Sequence, residues 1–331
     1  MSSAYIAKIG DNLPEQLETA LEFINWRDII HPDSTVFIKP NLTWPEPRPG
    51  VTTSLHFIEA VLGILTKRAQ RVIVGESNGG TFSAEEAFTK HGLPEVCKLH
   101  GAELINLSRH DSIMIEDTVI GRHVNIEASR LLLEQVDVFI TLPVLKTHVV
   151  TRVTLGLKNQ WGCIPDQMRL LYHHILDWGI VALNRAYAPR ICILDGTYAM
   201  DRRGPLEGDP IPAGWLAVSD NIVVLDAIGC HLLDVSPRDI RHLRFAEDEG
   251  LGTTDLTSIR LNQQLPAPAI HSVIKPSVMD WIAIVLYRSW VLSKLAFDSP
   301  LTPVMYKIMR RTPPGVIQPM DQTNHAYPAG Y

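Results

Sequence analysis

Residues 142–162, LPVLKTHVVTRVTLGLKNQWG, gather two lysines, a histidine, an asparagine and several hydroxyls directly behind an apolar run. Lys146 and Lys158 suit a negative charge and, if desolvated, a proton in transit. His148 suits proton exchange near neutral pH or metal ligation, and Thr147 and Asn159 suit hydrogen bonding to a substrate. The preceding run, residues 137–143, reads as a buried strand of a parallel sheet. Ligands of open α/β sheets sit beyond the carboxyl ends of such strands. Lys146, His148 and Lys158 are therefore catalytic candidates, with Thr147 and Asn159 as substrate-binding candidates.

Four more constellations carry potential chemistry, each beside a plainer reading. In Phe37-Ile-Lys39-Pro40-Asn41 a cation and an amide stand where a proline halts a strand, so Lys39 and Asn41 could hold a carboxylate or phosphate. The alternative is a surface ion pair with a turn asparagine. Gly75-Glu-Ser77-Asn78-Gly-Gly80 lies between a strand and a helix start, where its amides could cradle an anion, or it is an ordinary turn. It matches neither nucleotide fingerprint of the Walker or dinucleotide type.

His173 and His174 precede Asp177 by four and three residues, so on a helix either pair shares a face. They offer metal ligands or an oriented acid/base pair, against the simpler reading of a surface ion pair beside a core histidine. Asp195 ends another apolar run and could bind a metal or accept a proton. The metal candidates are thus His148, His173, His174 and Asp195, a set that suits a first-row transition ion better than magnesium. Asp220 reads as a helix N-cap. Asp226, inside an apolar run, must face the site or pair with a cation.

The elements that would position these groups alternate. Short β-branched runs fall at residues 35–38, 71–74, 103–107, 136–142, 190–194 and 215–218, and apolar-periodic segments at 54–67, 83–100 and 168–187 lie between several of them. This is βαβ grammar, predicting an α/β fold with a two-lobed or doubly wound, mostly parallel sheet and helices on both faces. Ser83-Ala-Glu-Glu86 has capping-box spacing and marks a helix start. The Pro/Gly-rich stretch 204–214 reads as an active-site loop. We expect an α/β domain over residues 1–262 and a C-terminal extension over 263–331, helical near 277–297 and extended through the prolines from 300 onward.

Composition excludes several classes. The 331 residues are 46% hydrophobic and 20% charged, which is neither disordered nor collagen-like. A net charge of −6 gives no general attraction to nucleic acid, so none is expected as a partner. The four cysteines stand far apart with no C-x-x-C pair, so this chain's own cysteines are not expected to hold an iron–sulfur cluster. The N-terminus lacks the apolar core of a signal peptide, and the longest strongly apolar run, residues 281–287, is too short to span a bilayer. A cytoplasmic protein with reduced thiols is expected. The large apolar groups after residue 277 demand a covering surface, either a second copy in a homo-oligomer or a membrane that the C-terminal helix meets peripherally.

The order IKPN, VGES, LPVLKTH, TLGLKNQWG, a histidine-bearing helix, LDG, GP…G, SD…LDA and GLG resembles the domain-of-unknown-function 362 family over residues 35–255, most specifically in the KTH…LGLKN…G block. That family's domain is often joined to a ferredoxin-like module, and its layout is distantly similar to lactate-racemase-like proteins. The resemblance implies a two-lobed α/β body with lysines and histidines in its cleft, and no particular reaction. Together these readings predict an enzyme, metal-dependent or acid/base in mechanism with an oxidoreductase among the options, acting on a small anionic metabolite. The alternatives are a redox accessory or cofactor-binding protein working with a separate ferredoxin, and a non-catalytic assembly module.

Overall fold

Strand side chains alternate between two faces, and in this chain both faces are apolar, so the sheet must be covered twice. The structure, a computed structural model, describes residues 1–80, 82–301 and 304. Its strands are β1 (Ser3–Lys8), β2 (Thr35–Pro40), β3 (Arg71–Glu76), β4 (Glu103–Asn106), β5 (Ser112–Val119), β6 (Arg122–Ser129), β7 (Val138–Leu142), β8 (Val144–His148), β9 (Arg152–Val153), β10 (Ile191–Asp201), β11 (Asp209–Ser219) and β12 (Arg260–Leu261). Among the described residues, ten of these form one sheet in the order β12-β1-β11-β10-β7-β2-β3-β4, with β8 beside β10 and β9 beside β8. β5 and β6 form a separate antiparallel hairpin.

The sheet is mostly parallel, as predicted. β2 runs parallel to β3 and β7, β3 to β4, and β10 to β7 and β8, whereas β11 runs antiparallel to β1 and β10. Val36, Ile38, Val138, Ile140, Ile191 and Ile193 pack against helices Leu13–Phe23 and Leu55–Leu65. Their neighbours Phe37, Phe139, Cys192 and Leu194 face the opposite layer, with helices Leu176–Tyr187 and Ile222–Leu232. This α/β architecture puts the carboxyl ends of β2, β3 and β7 side by side, which brings residues 39–41 and 75–78 to one edge.

Several local expectations needed correction. The helix expected across 83–100 is two, Ala84–Lys90 and Leu93–His100, broken at Gly92, whose φ of +72° suits glycine. Ser83 does cap the first of them, accepting the Glu86 N–H at 3.1 Å. The segment expected as one helix at 168–187 begins with a 3-10 stretch, Arg169–Ile175, before helix Leu176–Tyr187. Asp220 is not the N-cap of Ile222–Leu232. Asn221 is, accepting from Val223 and Val224, while Asp220 accepts the Ser3 N–H at 2.9 Å and so fastens β1. Much of the 204–214 stretch extends β11, leaving residues 202–208 as the loop.

The C-terminal extension is helical where expected, as Val278–Arg288 and Trp290–Phe297. A capping box between Ser277 and Asp280 starts the first helix, and Arg203 reaches it from the 202–208 loop, donating to Asp280 and Ser277 at 3.0 Å each. Of the extended arm expected beyond residue 300, all but residues 300, 301 and 304 lies outside the described residues. Among the described residues, no helix is long and apolar enough to cross a membrane.

Candidate functional site

Two strand ends and one short helix meet around a cavity of about 200 Å³. β2 delivers Lys39 and, just beyond it, Asn41; β3 delivers Glu76 and Ser77; helix Leu155–Asn159 delivers Lys158 and Asn159. All six line the cavity, together with Thr43, Thr154, Trp161 and Arg169. Pro205, from the 202–208 loop, lines it too, and a Cβ on Gly204 beside it would lie 1.8 Å from the Thr147 carbonyl oxygen. Only glycine permits that loop to approach β8 so closely.

Several of the polar groups have partners within the protein. Lys39 Nζ donates to Glu76 Oε2 at 2.5 Å and to the Pro40 carbonyl at 2.6 Å, a buried ion pair. Lys146 is fully buried one layer behind, donating to Asn41 Oδ1 and Thr43 Oγ1 at 3.0 Å each and to the Val51 carbonyl at 2.6 Å. None of those acceptors is charged. Burial first, and then the Lys158 and Lys39 ammoniums, hold Lys146 well below the usual lysine range. Asn159 donates to the Lys39 carbonyl at 3.0 Å and to Thr141 Oγ1 at 2.9 Å, which ties the short helix to β2 and β7. Ser77 donates from both N–H and Oγ to the Gly162 carbonyl, at 3.1 and 2.6 Å.

The helix bearing Lys158 is positioned by Asp226. Its two carboxylate oxygens accept the N–H groups of Gly156 and Leu157 at 2.6 and 3.0 Å. Asp226 therefore neither faces the cavity nor pairs with a cation, the two options its sequence context left; backbone amides satisfy it instead. Leu155, the first residue of that helix, has a φ of +47°, so the chain enters it through a left-handed turn.

Three groups lining the cavity have donors without a taker. The Lys158 ammonium makes no hydrogen bond or ion pair among the described residues, and burial lowers it to about 7, against a smaller opposing pull from Asp177. The Thr154 hydroxyl and the Trp161 indole N–H are buried and unpartnered. Arg169 donates to Ser77 Oγ and the Asn78 carbonyl and has no carboxylate partner among the described residues. Arg169 and the partly charged Lys158 thus face the cavity without a countercharge among the described residues, while Lys39 is neutralised by Glu76 and burial disfavours a charge on Lys146. The cavity carries net positive charge in a desolvated wall, where an anion is attracted most strongly.

Other candidates fall elsewhere. Asp195 does not line the cavity: Oδ2 accepts the Ser54 N–H at 2.9 Å and Oδ1 accepts from the Thr197 N–H and hydroxyl at 3.1 and 2.6 Å. Its oxygens are engaged in holding the chain where helix Leu55–Leu65 begins. Thr147 donates to the Met200 carbonyl. The Ser77 and Asn78 amides are consumed by Gly162, Glu76 and Ser108, so they do not cradle a ligand.

The histidines do not assemble with Asp195. His148 Nδ1 accepts the Val150 N–H at 3.0 Å, which leaves the proton of its neutral ring on Nε2. Burial, with Lys158, Lys146, His173 and His242 nearby, keeps it well below the usual imidazole range. His173 Nδ1 lies 3.0 Å from the Leu170 carbonyl, and its ring packs between Trp161 and Tyr287. His173, His174 and Asp177 line a second cavity, yet Asp177 lies 3.6 Å from Arg241 and 3.7 Å from His242 rather than beside either histidine. Among the described residues no three His, Cys, Asp or Glu side chains form a metal-holding group, so the expected metal set is not brought together.

Sequence reasoning missed Glu76, Thr154, Trp161 and Arg169. Only Glu76, the acid of VGES at a strand end, had a signal of the kind that singled out Lys39.

A thylakoid-associated protein of Synechocystis sp. is 27% identical over 254 residues, covering 73% of this chain and 77% of that one. Among solved structures, the lactate racemase apoprotein of Thermoanaerobacterium thermosaccharolyticum aligns with a TM-score of 0.46 at 13% identity, over 70% of this chain and 57% of that one. A Thermotoga maritima protein aligns with a TM-score of 0.38 at 15% identity, over 62% of this chain and 55% of that one. The sequence matches the family described as Domain of unknown function (DUF362) over residues 36–231, a span holding every residue named as lining the cavity, and the chain belongs to that family.

Proposed function

We propose that this chain is an enzyme that binds a small organic anion, a carboxylate or phosphate, in the cavity at the carboxyl ends of β2 and β3 and exchanges a proton with it through Lys158. The observation that carries the reading is a pair of buried unpartnered donors, the Thr154 hydroxyl and the Trp161 indole N–H, on residues that line one positively charged cavity together with the half-buried Lys158 ammonium. Buried donors are nearly always satisfied in a finished site, and a ligand bearing acceptor atoms would satisfy these. Arg169 would balance the ligand's charge.

Lys158, lowered to about 7, is divided between amine and ammonium at neutral pH. As the amine it takes a proton from the bound anion and becomes the ammonium, and it returns that proton to the product. Lys39 and Glu76, already paired, set the wall against which the ligand rests. All four cysteines are free, which fits the cytoplasmic setting we assign to this chemistry.

The test is calorimetric titration of the full chain with inorganic phosphate, acetate and a panel of small 2-hydroxy and 2-oxo acids, repeated on Lys158→Met. Binding by at least one of these anions, weakened tenfold or more in the variant, is the expected result. If none binds the wild type, or the variant binds equally, the reading fails.

A further inference from the structure

The two C-terminal helices present an apolar surface that the rest of the described residues leave uncovered. Trp281, Ile282, Val285, Trp290, Val291 and Leu295 are between 47% and 58% exposed, while Ile284 and Ser293 turn inward. In helix Val278–Arg288 the exposed residues Val278, Trp281, Ile282 and Val285 recur at i, i+3, i+4 and i+7, a single stripe. The opposite side is fastened to the body, through Asp280 to Arg203 and through Tyr287 against His173. The stripe is therefore held in place facing outward.

The charge of this segment of the sequence differs from that of the rest of the chain. The chain is acidic overall, yet from residue 277 onward it has five Lys and Arg against three Asp, and Asp280 is already paired. Arg288 ends the first helix, and Lys294 lies 5.0 Å from the centre of the exposed Trp290 ring. Neither has a carboxylate partner among the described residues. Exposed tryptophans with cations alongside are the chemistry of a helix lying in a bilayer interface, the rings at headgroup depth and the ammoniums reaching lipid phosphate. A seam between two copies would instead desolvate those unpaired cations.

We propose that this face docks on the surface of an anionic lipid bilayer, lying in the interface without spanning it. The inference stands apart from the anion-binding reading of the cavity. Its test is co-sedimentation of the full chain with vesicles of phosphatidylcholine alone and of phosphatidylcholine with phosphatidylglycerol, at low and high salt. The same assay on W281S/W290S and on R288Q/K294Q, each checked for an unchanged circular dichroism spectrum and melting temperature, locates the contact.

Binding to the anionic vesicles that weakens with salt and falls about tenfold or more in each double variant is expected. Equal binding to both vesicle types, or undiminished binding by W281S/W290S, overturns the proposal. So does a wild-type chain that ignores vesicles, whether light scattering finds it monomeric or finds a dimer that W281S/W290S dissolves.

Discussion

Asp226 Oδ1 lies 2.6 Å from the backbone nitrogen of Gly156, so the helix that presents Lys158 is gripped from behind by an acid on helix Ile222–Leu232. A Cβ at position 156 would come within 2.8 Å of that oxygen, which makes the grip possible only over glycine. Asp226→Ala leaves two buried amides unpaired and is expected to lower stability by about 2–4 kcal/mol. Asp226→Asn keeps one acceptor and should lose less. Urea unfolding of both variants checks this, and equal losses would show that the oxygens are not what holds the helix.

Lys158 gives stability a pH dependence with a defined sign. Its folded-state value of about 7 lies below its ordinary 10.5, so between these the unfolded chain holds a proton that the folded chain has released. Stability contributed by this group therefore rises with pH from about 7 to 10.5 and is lowest below 7. Lys158→Met should flatten that rise in a series of thermal melts, and its melting temperature at pH 6 should match or exceed the wild type's. A variant profile parallel to the wild type's would refute the assignment.

Strand-end logic singled out Lys39, Asn41, Lys158 and Asn159, which line one cavity, because a β-branched run fixes where the sheet edge lies. It failed for Asp195, because position at an edge does not reveal which amides lie within reach, and Ser54 approaches from 141 residues away. Arg169 lies in a segment whose apolar period reads as a helix, yet it sits in a 3-10 stretch, and the period alone does not say that its side chain turns to the cavity. The β5–β6 hairpin went unread because its turn is Ile120-Gly121, with Ile120 at a φ of +47°, in place of the usual Asn-Gly. The α/β class itself was legible, since alternating apolar periods survive such local surprises.

The Lys39–Glu76 pair should behave as a buried unit. Glu76→Gln strands an ammonium that is 1% exposed, and a loss of about 3–5 kcal/mol is expected in equilibrium unfolding. The double variant K39M/E76Q should recover part of it. Gly162→Ala would put a Cβ 2.5 Å from Glu76 Oε1 and 3.0 Å from Lys39 Nζ, so it should disturb the same pair without touching its charges. If K39M/E76Q is no more stable than Glu76→Gln, the two side chains do not act together.

His173 supplies the acid-side counterpart. Burial lowers its ring to about 3 from an ordinary 6.5, so the unfolded chain takes up a proton there that the folded chain refuses. Its contribution to stability is complete above pH 6.5 and is lost as pH falls toward 3. His173→Phe keeps an aromatic ring between Trp161 and Tyr287 and should make unfolding less sensitive to acid across that interval. Chemical denaturation at pH 4 and pH 7 would measure it, and an unchanged difference between the two would contradict the burial argument.

The twin donation of Ser77 to the Gly162 carbonyl stitches the β3 loop to the turn that carries Trp161 before any guest arrives. A floor locked in advance has little configurational freedom left to surrender, so complex formation there should proceed without a slow isomerisation and with single-exponential kinetics. Selectivity would then come from how well a guest's oxygens match fixed donors rather than from a wall that moulds itself to each comer. A chain built this way would discriminate by shape and charge at first contact, and Ser77→Ala should blur that discrimination more than it weakens the tightest binder.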